Sequence, residues 1–235
     1  TLFRSPNREA GKEILQVEHL SKSVDGEVLF SDLTFMLNKG EKVVLFSKNP
    51  VAVTMLFKIL MGEETADSGV LKWGITTTQA YLPRDYNNFF EGCEDNLIDW
   101  LRQFSDEKSE SFIRGFLGKM LFSGEEPLKK SSVLSGGEKV RCMFSKLMLS
   151  GANVLLLDDP TNHLDLESIQ AVNDGLIAFK GTMLFTSHDH TFIDSIADRV
   201  IEITPNGLID RQCTFDEFLD NDALQAEIDL LYVTK

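Results

Sequence analysis

Four aliphatic residues in a row, Val154, Leu155, Leu156 and Leu157, run directly into Asp158-Asp159-Pro160. An unbroken apolar run of that length suits a strand covered on both faces, so it predicts the interior of a parallel sheet. The flanking pattern agrees. Short β-like stretches at 14–17, 28–37, 42–46, 76–81, 182–186 and 200–203 are interleaved with helical ones at 54–61, 137–149 and 191–197. A further helix carries Ile169, Val172 and Leu176 on one side. Strand–helix alternation predicts an α/β domain with a mostly parallel sheet. Between about 85 and 135 the texture changes, with Leu97, Ile98, Leu101 and Phe104, then Phe112, Phe116, Leu117, Met120 and Leu121, at helical spacing. That stretch predicts an inserted helical subdomain, its second helix capped by Ser109 or Ser111.

Composition narrows the class. A chain of 235 residues fits one large or two small domains, and 43% apolar with 26% charged residues is an ordinary globular balance. Acids outnumber bases 37 to 23, a net charge of −14, which disfavours a nucleic-acid or anionic-lipid surface because phosphate contact needs Lys and Arg. No apolar run reaches the ~20 residues that span a bilayer. Cys93, Cys142 and Cys213 are scattered and lack CxxC or His companions, the pattern of buried thiols in a reducing, cytoplasmic compartment. The chain opens on Thr1, and residues 1–12 are polar with Pro6 and Gly11, as expected for the end of a linker in a longer protein. Residues 215–235 carry six acids and one base, with Leu224, Ile228 and Leu231 on one stripe. They predict an acidic helical tail packed on its own domain.

Three short segments carry chemistry. Leu134-Ser135-Gly136-Gly137-Glu138 places a Ser and two Gly at a helix start, where backbone N–H groups and the helix dipole attract an anion. A simple turn uses the same residues. The apolar strand ending at Asp158 matches the way P-loop NTPases hold Mg²⁺ near phosphates, and Asp159 beside it can polarise a water. Asp159 and Thr161 also suit the start of a helix. Ser187-His188-Asp189 puts a His at a strand tip.

Together these residues resemble an ATP-binding-cassette nucleotide-binding domain over nearly the whole chain. By that resemblance Ser135, Gly136, Gly137 and Glu138 match the signature sequence, and Asp158 matches the Walker B aspartate. Asn162 to Asp165 match the D-loop, His188 the switch histidine, and Gln79 the Q-loop glutamine joining sheet to helical insertion. The resemblance implies ATP and Mg²⁺ as ligands, with Thr54, Gln79 and Asp158 toward the metal and Asp159 and His188 as catalytic residues. It also implies an antiparallel N-terminal β subdomain beside the parallel core, with the cassette spanning 13–214. The wording Pro160-Thr161-Asn162-His163-Leu164-Asp165 is similar to the F subfamily. There two cassettes share one chain without membrane spans, and many members act on the ribosome.

The phosphate loop departs from that pattern. Ser47-Lys48-Asn49-Pro50-Val51-Ala52-Val53-Thr54 stands where G-x-x-x-x-G-K-[ST] is expected. Ser47, Ala52 and Val53 replace Gly, Gly and Lys. Asn49 and the surrounding backbone would still face nucleotide, and Thr54 retains its hydroxyl. Pro50 removes a donor, and the missing glycines remove the freedom to curl around phosphate. Loss of the lysine contact costs about 1.5–3 kcal/mol of binding. Val24 stands where the family stacks an aromatic on adenine, and Asp159 is one methylene shorter than the usual glutamate. Because two cassettes of this family meet head to tail, the intact signature would serve a site whose phosphate loop lies in an absent first cassette. The expected function is the second cassette of a soluble F-subfamily ATPase acting in translation, with no direct nucleic-acid contact from this acidic half. A transporter ATPase subunit and a non-hydrolysing regulatory cassette are the alternatives.

Overall fold

The computed structural model describes residues 2–233; residues 1, 234 and 235, the outer ends of the expected linker and tail, lie outside the described residues. Nine strands are described: β1 (Glu13–Val24), β2 (Glu27–Asn38), β3 (Lys42–Phe46), β4 (Ser68–Trp73), β5 (Gln79–Leu82), β6 (Val154–Asp158), β7 (Thr182–Thr186), β8 (Arg199–Thr204) and β9 (Gly207–Arg211). The helices are α1 (Pro50–Leu60), α2 (Leu97–Arg102), α3 (Glu110–Lys119), α4 (Gly136–Leu149), α5 (Leu166–Ala178), α6 (His190–Ile196), α7 (Phe215–Leu219) and α8 (Asp222–Tyr232).

Six strands form the central sheet in the order β5-β6-β7-β3-β8-β9. All neighbours are parallel except the β8–β9 hairpin. A second, antiparallel sheet has the order β2-β1-β4. Every residue of β6 and β7 is buried, and the two-residue period divides them between two cores. Val43, Leu45, Val154, Leu156 and Leu184 join the core that takes in α1 and the antiparallel sheet. Val44, Leu155, Leu157, Met183 and Phe185 join the core containing the helical subdomain and α4. The both-sided cover expected of residues 154–157 is present, and the fold is an α/β cassette with a mostly parallel sheet.

The expected boundaries shift where local backbone chemistry decides them. The helix expected from 54 begins instead at Pro50, because Asn49 caps it and accepts the Val51 N–H at 3.0 Å. Proline suits a first helical position, where its absent N–H is not needed. The strand expected at 76–81 is shortened to Gln79–Leu82 by a turn in which Thr77 N–H donates to the Gly74 carbonyl. The strands β4 and β9 were not expected. Ser109 stands at the cap position of α3, without a side-chain hydrogen bond to the helix.

The described residues near both termini pack on the domain. Phe3 is buried against Phe179, ring centroids 5.0 Å apart, and Arg4 N–H donates to the Met148 carbonyl at 2.8 Å. One buried ring thus anchors the polar segment 1–12 that reads as the end of a linker. At the other terminus Leu224 and Ile228 of α8 are buried, as the apolar stripe predicts.

Arg199, at the first position of β8, ties the two sheets together. Its guanidinium pairs with Glu41 at 2.8 Å and Asp210 at 2.6 Å, and donates to the Met36 carbonyl on β2 at 2.9 Å. Hydrogen bonding to Asp210 leads the effects that hold its pKa above the ordinary arginine value. Breaking a buried pair leaves an uncompensated charge. Arg199→Met is expected to cost about 3 kcal/mol in urea unfolding, whereas loss of less than a third of that would remove the cross-link from the account.

Candidate functional site

In an open parallel sheet, ligands approach the carboxyl ends of the strands. The predicted segments gather there: the loop after β3, the junction after β5, Asp158-Asp159 at the end of β6 and Ser187-His188 after β7.

The loop after β3 does not present a phosphate nest. Lys48 N–H donates to the Tyr232 hydroxyl at 2.8 Å, and Asn49 N–H donates to Ser47 Oγ at 3.2 Å. Pro50 has no N–H. Val51 N–H is taken by Asn49 Oδ1, and Ala52 N–H by the Asn49 carbonyl at 3.0 Å. Every backbone position from 48 to 52 is therefore either bonded within the chain or lacks a donor, while anion nests need successive free N–H groups. Ala52 and Val53 are buried in the core beside α1, so position 53 offers nothing to a ligand. Lys48 turns toward α8, pairing with Asp229 at 2.7 Å and lying 4.5 Å from the Tyr232 ring centroid.

Asp158, 1% exposed, closes β6. Thr54 Oγ1 donates to its Oδ2 at 2.5 Å, and Arg84 Nε donates to its Oδ1 at 3.2 Å. Burial raises the Asp158 pKa despite those two bonds, and nearby Asp159 adds to the rise. The expected placement of Gln79 is corrected. It opens β5 opposite Val154, at the far end of the strand pair from Asp158, and its amide donates to Thr77 Oγ1 at 2.9 Å. The junction between sheet and helical insertion falls at Pro83-Arg84, so Arg84 occupies the position expected for Gln79. Gln79 does line a cavity of about 740 Å³ together with Thr54, Lys58, Arg84 and Lys146. The buried Tyr81 hydroxyl on that wall has no partner among the described residues.

Asp159 adopts φ +58° and donates its N–H to the Thr186 carbonyl at 3.1 Å, pinning the ends of β6 and β7 together. Thr161 and Ser187 hydroxyls lie 3.3 Å apart and join the next residues of the two loops. His188 is exposed one residue beyond Ser187. Asp159 and His188 thus stand on adjacent loops.

The signature segment forms a second, separate surface. Ser135 caps α4 in a reciprocal box: Glu138 N–H donates to Ser135 Oγ at 3.3 Å, and Ser135 N–H donates to Glu138 Oε2 at 2.9 Å. Burial works against ionisation of Glu138, but bonds from Lys129 and Ser135 outweigh it and hold its pKa below normal. Gly136 and Gly137 occupy the first helical turn, where N–H groups have no carbonyl of their own helix. Ser135, Gly136, Gly137, Glu138 and Asp165 share a surface pocket with Arg141 and His163. Asp165 also caps α5, accepting Ser168 N–H at 2.8 Å; hydrogen bonding from the Ser168 side chain, then from that N–H, lowers its pKa. A Cβ on Gly137 would lie 2.8 Å from the His163 carbonyl oxygen.

A family model described as ABC transporter matches residues 30–162, more than half of the chain. The chain belongs to the ABC transporter family. It is 59% identical over 229 residues to the ABC transporter ATP-binding protein YkpA of Bacillus subtilis (strain 168), covering 97% of this chain and 42% of that protein. It is 32% identical over 215 residues to the energy-dependent translational throttle protein EttA of Escherichia coli (strain K12), covering 89% and 38%. The chain therefore spans about two fifths of these relatives. Among solved structures, a nucleotide-free ATP-binding cassette from an ABC transporter superposes with TM-score 0.72 at 14% identity, covering 95% of this chain and 100% of that one.

Family membership implies ATP binding, and the two surfaces of this cassette differ in their fit to it. The α4 entrance, with its helix-start N–H groups, suits a phosphate. The loop at 47–54 does not: its donors are engaged, and a guanidinium sits on the carboxylate that would face Mg²⁺. Arg84 and Tyr232 are the residues that sequence reasoning missed. A cation just past the Pro83 strand stop was a usable signal for Arg84; nothing local marks Tyr232. Removing the hydroxyl that accepts from Lys48 should free that amide. Tyr232→Phe is expected to speed hydrogen exchange at Lys48 about fivefold, equivalent to one net hydrogen bond of about 1 kcal/mol. Unchanged exchange would show that α8 does not restrain the loop.

Proposed function

We propose that this chain is the second cassette of a two-cassette ATPase of the F subfamily, donating its signature helix to ATP held by a partner cassette. The observation that carries this reading is the contrast between the two surfaces. The α4 entrance is capped and open to an anion, whereas the chain's own phosphate loop has its donors bonded internally. The coverage of YkpA and EttA leaves room in such proteins for a second unit of similar size. In this reading Ser135, Gly136 and Gly137 clamp the γ-phosphate of the partner's ATP, with Glu138 holding the serine. Asp165 lines the same interface. Asp159 and His188 retain positions for water activation at the chain's own weakened site. The domain limits 13–214, with flanking segments 1–12 and 215–235, belong to this proposal.

The similarity to EttA, a translational throttle protein, supports a role in translation, with the ribosome as partner and the cytoplasm as location. The net charge of −14 makes this half unsuited to gripping RNA. No described helix is long and apolar enough to cross a membrane.

ATP turnover and ribosome cosedimentation test the reading. The chain alone is expected to turn over ATP slowly, and the full two-cassette protein to lose about 10²-fold in turnover on Ser135→Ala, as for loss of an oriented phosphate or oxyanion donor. Robust hydrolysis by this chain alone, insensitive to Ser135→Ala, would overturn the half-site assignment. Absence of ATP-dependent cosedimentation with ribosomes would remove the translational role.

A further inference from the structure

We infer that the Arg84 guanidinium, not a divalent metal ion, is the cation that neutralises Asp158, so the chain's own phosphate-loop side is independent of Mg²⁺. The inference rests on the family reading of Asp158 as the metal-facing carboxylate, but not on the two-cassette or ribosome assignments.

The backbone puts Arg84 in place. Parallel pairing sets Leu82 of β5 opposite Leu157 of β6, so the chain leaves β5 level with Asp158. Pro83 stops the strand, since it cannot donate to a ladder, and the next side chain returns across the strand end. Arg84 is about two-thirds buried, and the Asp158 side chain is fully buried. Each carboxylate oxygen already accepts a hydrogen bond, Oδ1 from Arg84 Nε and Oδ2 from the Thr54 hydroxyl. Asp158 therefore has a permanent positive neighbour, because an arginine does not release its proton in the working pH range.

Magnesium makes opposite demands. It requires near-octahedral oxygen ligands at about 2.0–2.1 Å and keeps several waters. Placing it at Asp158 would confront a guanidinium 3.2 Å from the same carboxylate with a dication, in a partly buried setting where solvent screens the repulsion less than at an open surface. The altered phosphate loop removes the other half of the usual arrangement. With Val53 buried and the N–H groups from 48 to 52 engaged, little is left to hold the phosphates that would share the metal. One covalently attached charge thus replaces a diffusible ion, and Asp158 has a counter-charge without ligand.

Thermal unfolding of the full chain in EDTA and in Mn²⁺, a paramagnetic substitute for Mg²⁺, tests this directly. The wild type should melt at the same temperature in both. Arg84→Gln should melt about 5–10 °C lower in EDTA, as expected for half of a buried pair left alone. Mn²⁺ should recover about 3–5 °C of that loss at ten times its dissociation constant. The double variant Arg84→Gln/Asp158→Asn should not respond, which separates this site from diffuse binding to an acidic surface. If Arg84→Gln does not fold, the wild type decides by electron paramagnetic resonance with Mn²⁺ and ATP present. Equal Mn²⁺ uptake by wild type and Asp158→Asn supports the inference. Uptake that Asp158→Asn abolishes overturns it, as does an Arg84→Gln melt indifferent to Mn²⁺. Neither readout depends on turnover or on ribosomes, so the proposed function can fail while this stands.

Discussion

The central sheet is covered on both faces, and that constraint governs where chemistry can occur. A strand buried above and below can satisfy its backbone only through its neighbours, so β6 and β7 are committed to the ladder along their whole length. Their apolar side chains alternate between two cores and have no freedom to serve a ligand. Polar function is therefore pushed to the strand ends and to helix starts. Asp158, Asp159, Ser187 and His188 stand at the first kind of position, and Ser135, Gly136, Gly137 and Asp165 at the second.

These two kinds of position have different histories in this chain. Helix starts keep their N–H groups available because geometry withholds a partner from them, and the Ser135–Glu138 box stabilises α4 without occupying the first-turn donors of Gly136 and Gly137. The loop before α1 has become self-contained. Asn49 acts as an ordinary helix cap, Pro50 starts the helix, and α8 supplies an aromatic hydroxyl to the one N–H further out. The stacked pair Phe46 and Phe215, with centroids 4.7 Å apart, fixes α7 over the same strand end. The C-terminal helices thus pack where the loop would otherwise meet solvent.

Much of this was legible from sequence for identifiable reasons. The run Val154 to Leu157 announced a two-sided strand because four adjacent aliphatics suit a strand covered on both faces. Ser135-Gly136-Gly137-Glu138 announced a capped helix start because its residue types act locally. The start of α1 was misplaced because the segment was matched to a phosphate-loop template, and Asn49-Pro50 was not weighed as a cap. Residue type points to Gln79, whereas the register of β5 with β6 brings Arg84 to Asp158. The strands β4 and β9 are short, partly exposed edge or hairpin pieces with weak alternation. Tyr232 lies 184 residues from the amide it accepts, and no local pattern encodes such a contact.

The close approach of Gly137 to His163 has a consequence for how the signature surface can drift and move. What faces position 137 is the carbonyl of residue 163, not its imidazole, and residue 163 holds φ +65°. The imidazole can be exchanged for another side chain that tolerates a left-handed backbone, whereas any β-carbon at 137 must push the neighbouring loop aside. At position 137 the α4 entrance and the loop leaving β6 are consequently geared together by main chain. A rotation of one is felt by the other whichever side chain evolution places at the point of contact.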